Sequence, residues 1–368
     1  MLAKQIACSV QEAVAEVVAS GHWQHYEGPY SESLKSQLSD CVGHHQVHLT
    51  SSGTAALEIL LRAAGIGAGD EVLLSCYDYP GNFWAIERTG ARPALVDTSA
   101  ESWRIDLESL ERAFQPACKA LVASHLHGEL QKVDELRAWC DQRNILLLED
   151  VCQSLGAHWQ GSPAGSYGHA SILSFGGGKL LSCGRGGAWA TSDETLAIKA
   201  RVAGGAGSGP YALSELQAAT VLAQLPWLNA INSRCREYFK ALDCHLKETH
   251  CRWTFVANNS LDGAAFYQCG WLLKEPVAGA DRQILLKALH SRPLTNGTPT
   301  VELPFGEGFP GFHRRSARRC RIAHPLIHAT SAASDTLVLH HRTVLQEQWT
   351  PKQLATWIAG CIAQAQPS

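Results

Sequence analysis

From about residue 50 to 200 the sequence alternates short apolar runs with amphipathic stretches, and this ordering constrains the fold more than any other feature. The candidate strands are EVLLS (71–75), PALVD (93–97), ALVASHL (120–126), ILLLED (145–150), SILSF (171–175) and GAWAT (187–191). Helical stretches such as TAALEILLRAAG, LESLERAF and VDELRAWCDQR lie between them. Strand–helix alternation of this kind predicts an α/β fold, a mainly parallel sheet with helices on both faces. A run as continuous as ILLLED suits burial on both sides. Ligands of such sheets gather at the carboxyl ends of the strands.

A glycine-rich stretch, AGGAGSGPYA (203–212), closes this region. LSELQAATVLAQLPWLNAINSRCREYFKAL (213–242) then reads as one long helix, with apolar residues at helical spacing. After about residue 240 the signals become short and mixed. GTPTVELPFGEGFPGF (297–312) reads as loop and DTLVLHH (335–341) as a strand. The expectation is a large domain over 1–240 and a smaller α+β domain over 241–368, with the N-terminal helix free to pack against the small domain. That helix, MLAKQIACSVQEAVAEVVASG, carries Glu12 and Glu16 and is amphipathic, unlike a signal peptide.

Composition narrows the function classes. The chain of 368 residues is long enough for two domains, with 45% apolar and 18% charged residues, an ordinary globular balance. A formal net charge of −3 offers no basic field for nucleic acid or an anionic membrane. No apolar run approaches the ~20 residues that span a bilayer. The 13 cysteines are scattered with no Cys-x-x-Cys, which predicts reduced thiols and a cytoplasmic setting.

The stretch SILSFGGGKLLSCGRGG (171–187) holds one lysine, Lys179, among glycines. It is not a phosphate-binding P-loop, because Leu173 and Leu180 stand where glycine and Ser or Thr are required. A solvated surface lysine is one remaining reading. The other is a Schiff-base lysine, whose amine must spend time neutral and whose neighbouring glycines let the backbone approach a bound group. Asp150, ending ILLLED, could hold the ring nitrogen of pyridoxal phosphate, or simply cap a helix. In SSGTAALEILL, Gly53 allows close approach, and Thr54 and Ala55 open a helix whose N–H groups attract an anion. Tyr79 offers either an aromatic face for a planar ring or core packing. His125 and His127, two apart on a strand, would face one side, but no third ligand follows at metal-site spacing, so no metal is expected. The pairs His44–His45 and His340–His341 look unremarkable.

Together these phrases resemble the DegT/StrS-type sugar aminotransferases, pyridoxal-phosphate enzymes of fold type I. The matching phrases are SSGTAALEILLRAAGIGAGDEVLLS, GARPALVD, SHLHGELQKVDEL, LLLEDVCQSLGAHWQG, SILSFGGGKLL, GRGGAWAT and LSELQAATVLAQLPWLNAIN, in family order over roughly residues 10 to 240. The resemblance implies that Lys179 anchors the cofactor and then moves the proton. It implies Asp150 at the pyridine nitrogen, Gln153 near the ring hydroxyl, and Ser174 with Thr54 and Ala55 at the phosphate. Tyr79 would stack on the ring. Members with histidine at the lysine position act as dehydratases, so Lys179 points away from that branch.

The chain also departs from the pattern. Pro210, Ala212 and Leu213 replace the Asn, Arg and Met of a loop that reaches a neighbouring subunit's cofactor in many members. Arg185 replaces a customary acid; it could meet an anionic substrate group or the cofactor's phosphate, or be a surface residue. The C-terminal region lacks the family's phrases. The implied activity is transfer of an amine from an amino acid, glutamate or glutamine, to a keto or aldehyde acceptor such as a sugar, nucleotide sugar or cyclitol, by a homodimer. Another pyridoxal-phosphate reaction (elimination, decarboxylation or substitution) and a catalytically retired binding protein remain as alternatives.

Overall fold

The computed structural model describes residues 2–205, 209–249, 253–255, 263–273, 301–302 and 319–365. Helix α1 (Leu2–Ser20) and helix α2 (Pro29–Val42) precede strand β1 (Gln46–Thr50). Then come α3 (Gly53–Ala63), β2 (Glu71–Ser75), α4 (Pro80–Thr89), β3 (Arg92–Val96), α5 (Leu107–Ala113), β4 (Cys118–Ser124), α6 (Val133–Arg143) and β5 (Leu146–Asp150). A two-residue pair, β6 (His158–Trp159) and β7 (Ser162–Pro163), leads to β8 (Ala170–Ser174), β9 (Gly187–Thr191) and α7 (Glu194–Gly204).

The large sheet runs β1-β9-β8-β5-β4-β2-β3 and is closed at its far edge by β13 (Arg321–Ile322). Only β9 runs against the other strands. Registers Ser124↔Asp150 and Asp150↔Ile172 bring the carboxyl ends of β4, β5 and β8 to one rim. β2 and β5 are almost wholly buried, as continuous apolar runs require. Helix α3 is buried on nearly every side: Ala56, Leu57, Ile59, Leu60 and Leu61 are all inaccessible. It packs against α4, α7 and β9. Such a largely apolar helix, its buried Glu58 paired with Arg62 at 2.9 Å, is stable only inside a core.

The stretch 213–242 is not one helix. It divides into α8 (Glu215–Leu222), a 3₁₀ turn over Leu225–Trp227, and α9 (Leu228–Glu248). Pro226 lies in the break; it lacks the N–H and would clash with the preceding turn if the helix continued. In α9 the residues Leu228, Ile231, Cys235, Phe239, Leu242 and Leu246 are buried at helical spacing. After α9, β10 (Trp253–Phe255), β11 (Gln268–Leu273), β12 (Val301–Glu302) and β14 (Thr336–His340) form a second, antiparallel sheet in the order β10-β11-β14-β12. DTLVLHH thus contains β14. Of the stretch 297–312 only Val301–Glu302 is described, as strand; the rest lies outside the described residues. Helices α10 (Ile327–Asp335), α11 (Arg342–Leu345) and α12 (Pro351–Ala365) complete the chain, α12 packing on α9.

The segment after residue 240 therefore also reaches back to the large sheet. Arg321 pairs with the buried Glu71 at 2.7 Å while β13 adds beside β3. Strand β4 stops at Ser124, shorter than the apolar run ALVASHL suggests. His125 and His127 lie in the turn beyond it, with His127 in the left-handed region at φ 55°, so they do not share a strand face. His125 turns to Glu149 at 3.2 Å, and His127 turns to the Tyr77 hydroxyl at 3.0 Å. Every described cysteine is free of disulfides. Among the described residues, no helix is long and apolar enough to cross a membrane.

Candidate active site

A cavity of about 440 Å³ opens at the rim formed by β4, β5 and β8, and Lys179 lines it. The lysine is delivered by a tight turn: Phe175 follows β8, Gly178 takes φ 89°, and the Lys179 N–H donates to the Gly176 carbonyl at 3.1 Å. That positive φ is natural to glycine and costly elsewhere. Lys179 Nζ lies 4.2 Å from the Tyr267 ring centre and 5.9 Å from that of Tyr79. No carboxylate forms an ion pair with it among the described residues. Burial pulls its ammonium below the ordinary lysine value, against the opposing pull of Cys152 and Asp150. The lysine is half-buried and lines the cavity, in place of standing fully solvated on the surface.

The start of α3 forms one wall. Ser52 caps the helix, its Oγ accepting the Ala55 N–H at 3.0 Å. Gly53 and Thr54 line the cavity, whereas Ala55 does not, because its N–H is turned to that cap. Ser174 lines the same wall at the end of β8, its Oγ accepting from the Gly176 N–H at 3.3 Å. Two glycines keep the wall close. A Cβ on Gly187 would lie 2.4 Å from the Ser52 carbonyl carbon and 2.5 Å from the Gly53 nitrogen. A Cβ on Gly53 would lie 2.9 Å from Cys152 Sγ.

The far end is acidic and buried. Asp150 ends β5, its Oδ1 accepting the Cys152 N–H at 2.9 Å and its Oδ2 the Asn82 amide at 2.9 Å. Gln153, also buried, lines the cavity, and its Oε1 accepts the His127 N–H at 3.2 Å. Tyr79, at the N-cap of α4, is 43% exposed and presents its ring to the cavity, so it is not a core residue. Exposed Arg185 stands at the mouth; its carbonyl accepts from Gln217 at 2.7 Å, which ties the turn to α8.

Several lining or supporting residues carry no sequence signal. Asn82 and Asp78 back Asp150 from the β2–α4 connection, and Pro80 at the first helical position starts α4 where Asn82 faces inward. Tyr267 and Gln268 arrive from the second sheet. His340, read as unremarkable, packs edge-on against Tyr267 at 4.9 Å and stacks on His341 at 4.5 Å. Burial, with Arg342 and Lys179 nearby, pushes His340 down to about 4, so it is neutral at pH 7. Only the dipeptide His-His was visible beforehand, and nothing in it specified a position beside Lys179.

Donor set and shape fit pyridoxal phosphate: a half-buried amine with no ion pair among the described residues, a carboxylate in the same cavity, an aromatic face, and a glycine-cleared helix N-terminus with hydroxyls at hand. The sequence matches the DegT/DnrJ/EryC1/StrS aminotransferase family over residues 4–348. It is 32% identical over 215 residues to GDP-perosamine synthase of Caulobacter vibrioides, covering 55% of this chain and 58% of that protein. It is 32% identical to the dTDP-3-amino-3,4,6-trideoxy-alpha-D-glucose transaminase of Streptomyces venezuelae, covering 63% of each. It is also 32% identical to L-glutamine:scyllo-inosose aminotransferase of Streptomyces griseus, covering 51% of this chain and 46% of that one. The matched segments thus span roughly half to two thirds of these relatives. Among solved structures, 3-amino-5-hydroxybenzoic acid synthase superposes with a TM-score of 0.80 at 22% identity, covering 96% of both chains. An aminotransferase from Psychrobacter cryohalolentis does the same with a TM-score of 0.80 at 22% identity and 96% coverage of both. The chain belongs to the DegT/DnrJ/EryC1/StrS aminotransferase family.

Proposed function

We propose that this family member is a pyridoxal-phosphate-dependent aminotransferase that moves an amine from glutamate or glutamine to a keto or aldehyde group on a sugar, nucleotide sugar or cyclitol. The observation that carries the reading is the placement of Lys179, half-buried and without an ion pair among the described residues, in one cavity with Asp150. The cofactor, when bound, supplies the electron sink for amine transfer. The chain's own residues do the rest. Lys179 Nζ would hold the cofactor covalently and would serve as the proton-carrying amine of the cavity; its lowered pKa favours the neutral form that both roles need. Asp150 would meet the ring nitrogen and Gln153 the ring hydroxyl. Gly53, Thr54 and Ser174 would bind the phosphate, with the α3 dipole adding attraction. Tyr79 would offer its ring as a stacking face. Arg185 at the mouth is placed to meet an anionic group of a substrate.

The printed activities of the relatives support acceptors of the sugar and cyclitol class. Two copies of the chain are proposed to form the working enzyme, a family inference.

The test is a titration of the purified, cofactor-loaded protein with a panel of amino acids. Release of the matching keto acid in one-to-one amount, with ¹⁵N from the donor retained on the protein, supports the reading. Release of ammonia or carbon dioxide instead overturns it in favour of elimination or decarboxylation.

A further inference from the structure

Three elements converge behind Asp150. Asp78 follows β2, Asn82 sits in the first turn of α4, and Ser124 ends β4. The Asn82 Nδ2 lies 2.9 Å from Asp150 Oδ2, 3.2 Å from Asp78 Oδ1 and 3.2 Å from Ser124 Oγ. Ser124 Oγ and Asp78 Oδ2 share a hydrogen bond of 2.8 Å, and the Tyr79 N–H donates to Asp78 Oδ1 at 2.6 Å. Asp78 is 0% exposed and Asp150 6%. A second carboxyl buried against the first is costly unless its hydrogen bonds are put to use.

We infer that Asp78 is a positioning residue for Asp150, with the Asn82 amide as the link that aims the Asp150 carboxylate into the cavity. The inference rests on the reading above, in which that carboxylate meets the pyridine nitrogen. An amide nitrogen has two hydrogens, and here they are shared among the two carboxyl groups and Ser124 Oγ. Asp78, together with Ser124, therefore fixes the amide's rotation. An apolar residue at 78 would leave the amide held behind Asp150 by Ser124 Oγ alone, and would loosen its bond to Asp150 Oδ2. Burial, and then the charge on Asp150, push Asp78 up to about 8. At neutral pH Asp78 is protonated, its proton fitting on Oδ2 toward Ser124 Oγ while Oδ1 accepts from Tyr79 and Asn82, so it supplies hydrogen bonding without adding a second negative charge. Besides Asp150, the titratable groups facing this cluster are Cys152 and, across the cavity, Lys179, with Tyr79 on Asp78's own segment.

The experiment uses full-length apo-protein titrated with pyridoxal phosphate and followed by absorbance, with thermal melting as a check on folding. Asp78→Ala is expected to weaken cofactor affinity about tenfold, the scale of one hydrogen bond to a charged group. It should also shift the pH midpoint of the bound chromophore. Asp78→Asn, nearly the same shape and neutral, is expected to stay within about threefold of the parent with an unmoved midpoint. Asn82→Ala combined with Asp78→Ala should be no weaker than the worse single variant, since both cut one link. If Asp78→Ala does not fold, Asp78→Ser takes its place. Parent-like affinity and midpoint in the truncated variant, an Asp78→Asn as weak as Asp78→Ala, or simple additivity overturns the inference. Failure of the parent protein to take up pyridoxal phosphate overturns the functional reading itself, and the inference with it.

Discussion

Lys179 Nζ lies 4.2 Å from the centre of the Tyr267 ring, so the lysine at the end of the large sheet is met by a residue from just ahead of β11. Two opposing effects act on the amine there. Ring contact favours the ammonium by about 0.5–2 kcal/mol, while removal of the amine from water disfavours it. Burial wins, and the lysine's pKa falls. Tyr267→Ala admits water and should raise it. Capture of pyridoxal phosphate by the apo-protein requires the neutral amine, so capture at pH 7 should slow and its pH midpoint move upward. Tyr267→Phe should leave both unchanged. A downward shift in Tyr267→Ala would show the ring contact to be the stronger effect.

Gly187 lies against the backbone of Ser52 and Gly53, which cannot move aside without disturbing the start of α3. Gly187→Ala should therefore destabilise the fold by about 1–3 kcal/mol, the usual cost of overpacking. It should also weaken phosphate binding, measured as a rise in the Kd of pyridoxal phosphate relative to pyridoxal. A parent-like ratio of the two constants would place the phosphate elsewhere.

Glu71 ties the chain's later segment to the large sheet, accepting from Arg321 at 2.7 Å and also from Arg92 and Gln115. Burial raises its pKa, but those hydrogen bonds outweigh it and the net direction is downward. Its contribution is thus present above the unfolded carboxyl value and lost as pH falls through the lower folded one. Glu71→Ala leaves two arginines without their carboxylate and should cost about 3 kcal/mol in urea unfolding at pH 7.

Asp78 has the opposite sign. Its folded pKa, about 8, lies above the unfolded value, so between about pH 4 and 8 the native state holds the extra proton and stability falls as pH rises. The slope from this group reaches at most about 1.4 kcal/mol per pH unit. His127 and His341, pushed down to about 3 by burial, act in the reverse direction below their unfolded value. The difference between parent and Asp78→Asn isolates the carboxyl. Urea unfolding from pH 5 to 8 should show the variant gaining relative to the parent as pH rises; a flat difference would contradict the assignment.

The large sheet was legible because its strands are continuous apolar runs punctuated by turns, and ILLLED carried Asp150 to the rim with it. Strand β1 was not, since His48 and the half-buried Gln46 break the apolar signal at the sheet's edge. Pro226 showed the break before α9, but the helical spacing on either side masked it. Lys179 stood out through its glycines and its family phrase. Asp78, Asn82 and Tyr267 did not, because each reaches the cavity through long-range packing that no local spacing encodes. The two histidines beyond β4 were misplaced for a related reason: an apolar run does not mark where pairing stops.

The most direct test of the central claim is reduction of the pyridoxal-phosphate-loaded protein with borohydride, followed by peptide mass mapping. The account predicts one cofactor mass on the peptide containing Lys179, absent from Lys179→Ala. A cofactor mass spread over other lysines, with Lys179 unmodified, would contradict it.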